Sequence, residues 1–101
     1  MSEEALKQIN EAIYILEQLI EDTSVPRNIR RAAQQSIDIL NDESMDLQVR
    51  AVNVIELLED TTADPNCPLH ARTMIFQIIT RLELPQDEED EDEYEYEDEE
   101  E

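Results

Sequence analysis

Not one of the chain's 101 residues is glycine. Tight two-residue hairpins and phosphate-cradling loops both depend on glycine. Its absence therefore excludes a turn-rich all-β fold and both the dinucleotide-binding and P-loop fingerprints. In residues 1–84 Ala, Leu, Ile, Glu and Gln dominate instead, and most of these are good helix formers. The sequence reads as all-α.

Four apolar stripes carry that reading. The first follows Ser2, a suitable N-cap with Glu3 and Glu4 in the first turn, and runs through Leu6, Ile9, Ala12, Ile13, Leu16, Leu19 and Ile20. A second opens at Pro26 and places Ile29, Ala32, Ala33, Ser36, Ile37 and Leu40 on one side. Ser44 is the expected cap of a third helix, in which apolar residues from Leu47 to Leu58 leave only Asn53 and Glu56 as a polar strip. So wide an apolar surface predicts the central, most buried helix. Asp64-Pro65-Asn66 signals a turn, and Pro68 opens a fourth helix with Ala71, Met74, Ile75, Ile78, Ile79 and Leu82 inward. Pro85 ends it.

From Pro85 the chain continues PQDEEDEDEYEYEDEEE, which holds 13 carboxylates, no basic residue and, for apolar surface, Tyr94 and Tyr96. Such a segment buries too little to offset its ordering entropy and is read as a disordered acidic tail, residues 85–101. The remaining body, 1–84, is one helical domain with 7 basic against 15 acidic residues.

The helix starts repeat. Pro26, Asp46 and Pro68 each stand four residues before an arginine: Arg30, Arg50 and Arg72. Pro26 and Pro68 are 42 residues apart, close to the ~40 to 47 of HEAT-like helix pairs. With fewer than three pairs a true solenoid is not expected, and the expected architecture is a four-helix bundle or two stacked hairpins.

The segments VPRNIR at Val25 to Arg30, DPNCPLHART at Asp64 to Thr73 and RLE at Arg81 to Glu83 resemble the signature segments of a small archaeal family of the UPF series, uncharacterised and without an assigned function. The resemblance spans the body. It implies an all-helical four-helix bundle and supplies no catalytic residue. Cys67 stands where that family would favour an apolar residue such as Met.

The arginines divide into two groups. Arg30, Arg50 and Arg72 lie at the edges of apolar stripes, where a half-buried guanidinium needs carboxylate or carbonyl partners. Each preceding loop offers acids: Asp22 before Arg30, Asp42 and Glu43 before Arg50, Asp60 and Asp64 before Arg72. The expectation is a structural ladder of ion pairs. Arg27 and Arg31 instead point away from Ile29 and Ala33 and form a candidate contact for an anion: RNA phosphate, a partner's carboxylates or the tail.

Cys67 and His70 are the chain's only cysteine and histidine. They cannot close a four-ligand zinc site without carboxylates, and no glycine-rich oxyanion turn accompanies them. No metal, cofactor or disulfide is expected, nor a signal peptide or membrane span. At a formal net charge of −21, DNA is repelled. The sequence predicts a cytoplasmic, non-enzymatic interaction module, monomer or homodimer, whose acidic surface and tail engage a basic partner of ribosomal or chromatin type. Two alternatives stand beside it. One is local RNA contact through Arg27 and Arg31 with the tail as a gate, and the other is an enzyme centred on Cys67 and His70.

Overall fold

The structure, a computed structural model, describes residues 3–84; the expected cap Ser2 and the tail lie outside them. Four helices follow one another: α1 (Glu3–Glu21), α2 (Arg27–Leu40), α3 (Leu47–Thr62) and α4 (Leu69–Leu82). They are joined by short loops at 22–26, 41–46 and 63–68.

Those loops solve the turning problem without glycine. Among the described residues no φ is positive and no peptide bond is cis. Each loop instead carries, as its first or second residue, an aspartate whose Oδ1 accepts the backbone N–H two residues on: Asp22 from Ser24 at 2.9 Å, Asp42 from Ser44 at 3.0 Å and Asp64 from Asn66 at 2.9 Å. Each aspartate carbonyl then accepts the N–H three residues on, from Val25, Met45 and Cys67. An Asx turn folded onto a backbone turn reverses the chain in ordinary φ space. The third helix is accordingly capped at Asp46, not Ser44. The Ser44 hydroxyl is held by Asp42 at 2.7 Å and never reaches the helix.

The helices close into a square. α1 meets α2 and α4, α3 meets the same two, and the diagonal pairs stay apart. Hairpins stacked in parallel would bring α1 against α3, so the two hairpins face each other as a closed bundle. A shift of 42 residues carries α2 onto α4 end to end and maps buried positions onto buried positions: Ile9 onto Ala51, Ala12 onto Val54, Leu16 onto Leu58, Val25 onto Cys67, Ser36 onto Ile78 and Leu40 onto Leu82. The repeat visible at the helix starts therefore extends through the core.

α3 is not the most buried helix. Only Ala51, Val54 and Leu58 are fully enclosed, while Val49 and Val52 are about half exposed. α1 buries Ala5, Ile9, Ala12, Leu16 and Leu19, but leaves Leu6 at 46% exposure, outside the stripe it was assigned to. Ser36, the one buried polar residue among the described residues, donates its hydroxyl to the Ala32 carbonyl one turn back at 2.8 Å.

Candidate functional site

The three repeated arginines do clamp helices to loops, but they do so through carbonyls. Arg30 Nε donates to the Val25 carbonyl at 3.0 Å, Arg50 Nε to Met45 at 2.7 Å and Arg72 Nε to Cys67 at 3.2 Å. In each case the acceptor is five residues back, immediately before the helix cap. Arg50 Nη1 adds the Leu40 carbonyl at 3.1 Å, tying α3 to the end of α2, and Arg72 Nη2 adds the Asp64 carbonyl at 3.4 Å.

The expected ion-pair ladder is thus corrected. None of Arg30, Arg50 and Arg72 forms an ion pair with Asp22, Asp42, Asp60 or Asp64. Among the described residues the ion pairs are His70–Asp22 at 3.0 Å and Arg81–Glu11 at 3.2 Å. The reason is reach. An arginine in the first full turn lies directly over the chain entering its own helix, and main-chain carbonyls occupy that space. The loop acids are drawn into their own turns. Asp22 and Asp42 are held below the usual carboxylate range chiefly by the Ser24 and Ser44 hydroxyls, and Asp64 by the Asn66 N–H and then the Asn28 amide. Asp60 is exposed on α3 and joins no ion pair.

At one end of the bundle the first and third loops lock reciprocally. Asp22 Oδ2 meets His70 Nε2 of α4, with the Ser24 hydroxyl 3.4 Å from the same nitrogen. Asp64 Oδ2 accepts from Asn28 Nδ2 of α2 at 2.7 Å. Asp22 and Asp64, like Asn28 and His70, are related by the 42-residue shift. Each loop acid therefore serves its own turn with one oxygen and the other hairpin with the second. The sequence offers these aspartates as arginine partners and does not reveal the lock; its signal is Asp eight residues before each repeated arginine.

Cys67 and His70 are not brought into partnership. Cys67 is buried in the core cluster, where burial pushes its thiol up from the ordinary value. His70 is exposed and engaged with Asp22. No group of three or more His, Cys, Asp or Glu among the described residues is arranged to hold a metal ion.

Arg27 and Arg31 are exposed on α2, as the wheel indicates, and neither enters a hydrogen bond or ion pair. Lys7 on α1 is likewise exposed. The other four basic residues, Arg30, Arg50, Arg72 and Arg81, are half-buried, and of these only Arg81 forms an ion pair with a carboxylate. Most of the described carboxylates are exposed and form no ion pair. No described helix is long and apolar enough to cross a membrane.

Comparison with known proteins follows the same lines. The model of the uncharacterised protein family UPF0147 matches residues 1–84. A UPF0147 protein of Methanothermobacter thermautotrophicus is 48% identical over 83 residues, covering 82% of this chain and 78% of the relative. One of Thermococcus kodakarensis is 50% identical over 76 residues, covering 74% and 92%. The crystal structure of a UPF0147 protein from Thermoplasma acidophilum superposes with a TM-score of 0.78 at 36% identity, covering 81% of this chain and 96% of that one.

Proposed function

We propose, for a chain that belongs to the uncharacterised protein family UPF0147, the role of a non-enzymatic binding module that engages a basic macromolecular partner. The observation that carries this reading is where the cations are: three of seven donate to backbone carbonyls and form no ion pair with a carboxylate, and most of the described acids are exposed without an ion pair. Residues 85–101 add 13 further carboxylates. Complementary charge of this density accelerates encounter with a basic surface and selects against acidic ones.

The test is binding of the full chain and of residues 1–84 to a lysine-rich ribosomal protein in about 50 and 200 mM salt, measured by fluorescence anisotropy. The full chain binds, binding weakens steeply with salt, and the shortened chain binds less. Equal binding by both chains would remove the tail from the reading, and no binding at low salt would end it.

The exposed, unpartnered pair Arg27 and Arg31 supports a second reading, local contact with RNA phosphate. Under that reading the shortened chain binds single-stranded RNA better than the full chain, and Arg27→Ala with Arg31→Ala abolishes the gain.

A further inference from the structure

α4 is the one helix of the four without a carboxylate: from Pro65 to Leu82 the chain holds none, in a sequence with 28. Its outward row is Leu69, Thr73, Phe76 and Thr80, spaced so that all four share one helical face, and all four are exposed. Leu69 and Phe76 are 78% and 55% exposed. The two threonines donate their hydroxyls to the helix itself, Thr73 to the Leu69 carbonyl at 3.1 Å and Thr80 to the Phe76 carbonyl at 2.9 Å. Covering the row therefore strands no hydroxyl donor.

The internal repeat shows that the fold does not require these residues. The 42-residue shift lays Arg27, Arg31, Gln34 and Asp38 of α2 on Leu69, Thr73, Phe76 and Thr80, and those four are exposed too. Two equivalent rows of one bundle are thus charged and polar on α2, and free of charge on α4. The difference continues on α3, where Val49 and Val52 are about half exposed at the positions that Lys7 and Asn10 hold on α1. Large apolar side chains kept outward where the architecture accepts polar ones mark a contact surface.

The chemistry of the row selects its occupant. A basic partner finds no acid on α4. An acidic one finds no free cation there, because Arg72 donates to carbonyls, Arg81 meets Glu11 and His70 meets Asp22. Residues 85–101 offer two tyrosines among 13 carboxylates, too little apolar surface to cover Leu69 and Phe76. What fits is a second uncharged helical row, and a second copy of the chain supplies one. Turned antiparallel about a twofold axis at Thr73, two α4 helices bring Leu69 of each against Phe76 of the other, with a small residue at the crossing that lets them approach. On this row two chains of net charge −21 meet without setting carboxylate against carboxylate. We infer that the chain forms a twofold homodimer through the outward row of α4. The contact is independent of the basic-partner reading, which draws on the exposed acids of the other helices and of the tail. A helix of 14 residues is about 21 Å long. A strip of that length falls short of the ~800 Å² per partner of a standard interface, so the dimer is a weak one, with a micromolar dissociation constant.

Sedimentation velocity of the full chain from about 5 µM to about 1 mM should show a monomer–dimer equilibrium. Raising salt from about 50 to about 500 mM should tighten it about threefold or more, because screening weakens the repulsion between copies and leaves the apolar contact in place. Binding to a basic partner responds to salt in the opposite sense. Leu69→Gln with Phe76→Gln, at positions where the α2 row shows that the fold accepts polar residues, should weaken the dimer at least about tenfold with helicity unchanged by circular dichroism. Thr73→Glu sets two carboxylates across the axis and should weaken it by about as much. Leu6→Gln with Tyr14→Gln, exposed apolar residues on α1, should leave the equilibrium within about twofold. A full chain that stays monomeric at about 1 mM in high salt overturns the inference and leaves the row to a different protein. A dimer that survives both α4 variants, or one that weakens as salt rises, overturns it as well.

Discussion

Replacing Arg50 by methionine keeps an apolar stem against the bundle and removes the donors, so it isolates the clamp. Arg50 gives 2.7 Å and 3.1 Å hydrogen bonds to the Met45 and Leu40 carbonyls. The Leu40 carbonyl lies in the last turn of α2, where no further helical N–H is available to it. A hydrogen bond from a charged donor contributes about 1.5 to 3 kcal/mol when buried. Arg50 is half-buried, so water recovers part of both bonds, and Arg50→Met should cost about 2 kcal/mol. For a domain of this size that lowers Tm by about 8 to 16 °C, while Arg31→Ala, at an exposed residue without partners, should change stability by under about 0.5 kcal/mol. Urea unfolding followed by circular dichroism gives both values. A double-mutant cycle with Asp42→Asn then identifies the acceptor, because asparagine keeps an oxygen for Ser44 and loses only the charge. Carbonyl clamping predicts a coupling below about 0.5 kcal/mol. A coupling above about 1 kcal/mol, or an Arg50→Met cost no larger than that of Arg31→Ala, would refute the carbonyl clamp.

Three further outcomes follow from the same geometry. Asp22, Asp42 and Asp64 have their folded-state pKa values lowered beneath the ordinary 3.8 by hydrogen bonds within their turns; the stabilisation they give is complete above about pH 4 and lost as pH falls through the folded values. Replacing all three by asparagine should flatten the acid limb of a stability-versus-pH curve, and an unchanged limb would place acid sensitivity elsewhere. Cys67, buried and with its thiol pushed up, should react with a disulfide reagent at pH 8 at least about tenfold more slowly in the native protein than in urea; equal rates would mean the thiol is open. Ser36→Ala should change stability by less than about 1 kcal/mol, since the hydroxyl donates only to a carbonyl one turn back in its own helix; a larger loss in thermal melting would mean that bond organises the core.

What sequence alone determined is local. Pro26 and Pro68 fix their own φ and lack an N–H, so the starts of α2 and α4 were legible to the residue. The stripe through Ile9, Leu16 and Leu19 on α1 and that through Ile75, Ile78 and Leu82 on α4 were readable because a 3.6-residue period turns spacing directly into a face. The arginine four residues after each cap was visible as a pattern for the same reason. Tertiary structure decided everything that depends on what stands opposite a face. α3 offers apolar residues around most of its wheel, and only the contacts with α2 and α4 determine that Ala51, Val54 and Leu58 are enclosed while Val49 and Val52 meet solvent. The spacing from Asp46 to Arg50 could not rank a carboxylate against a carbonyl, because the two differ by a few Å in where the loop places them. Nor could the 42-residue repeat say whether two hairpins stack or close, since both arrangements bury the same stripes. Closure followed from α1 packing on α4 and α2 on α3, with Asp22 on His70 and Asp64 on Asn28 joining partners 48 and 36 residues apart, a distance over which no helical period carries information.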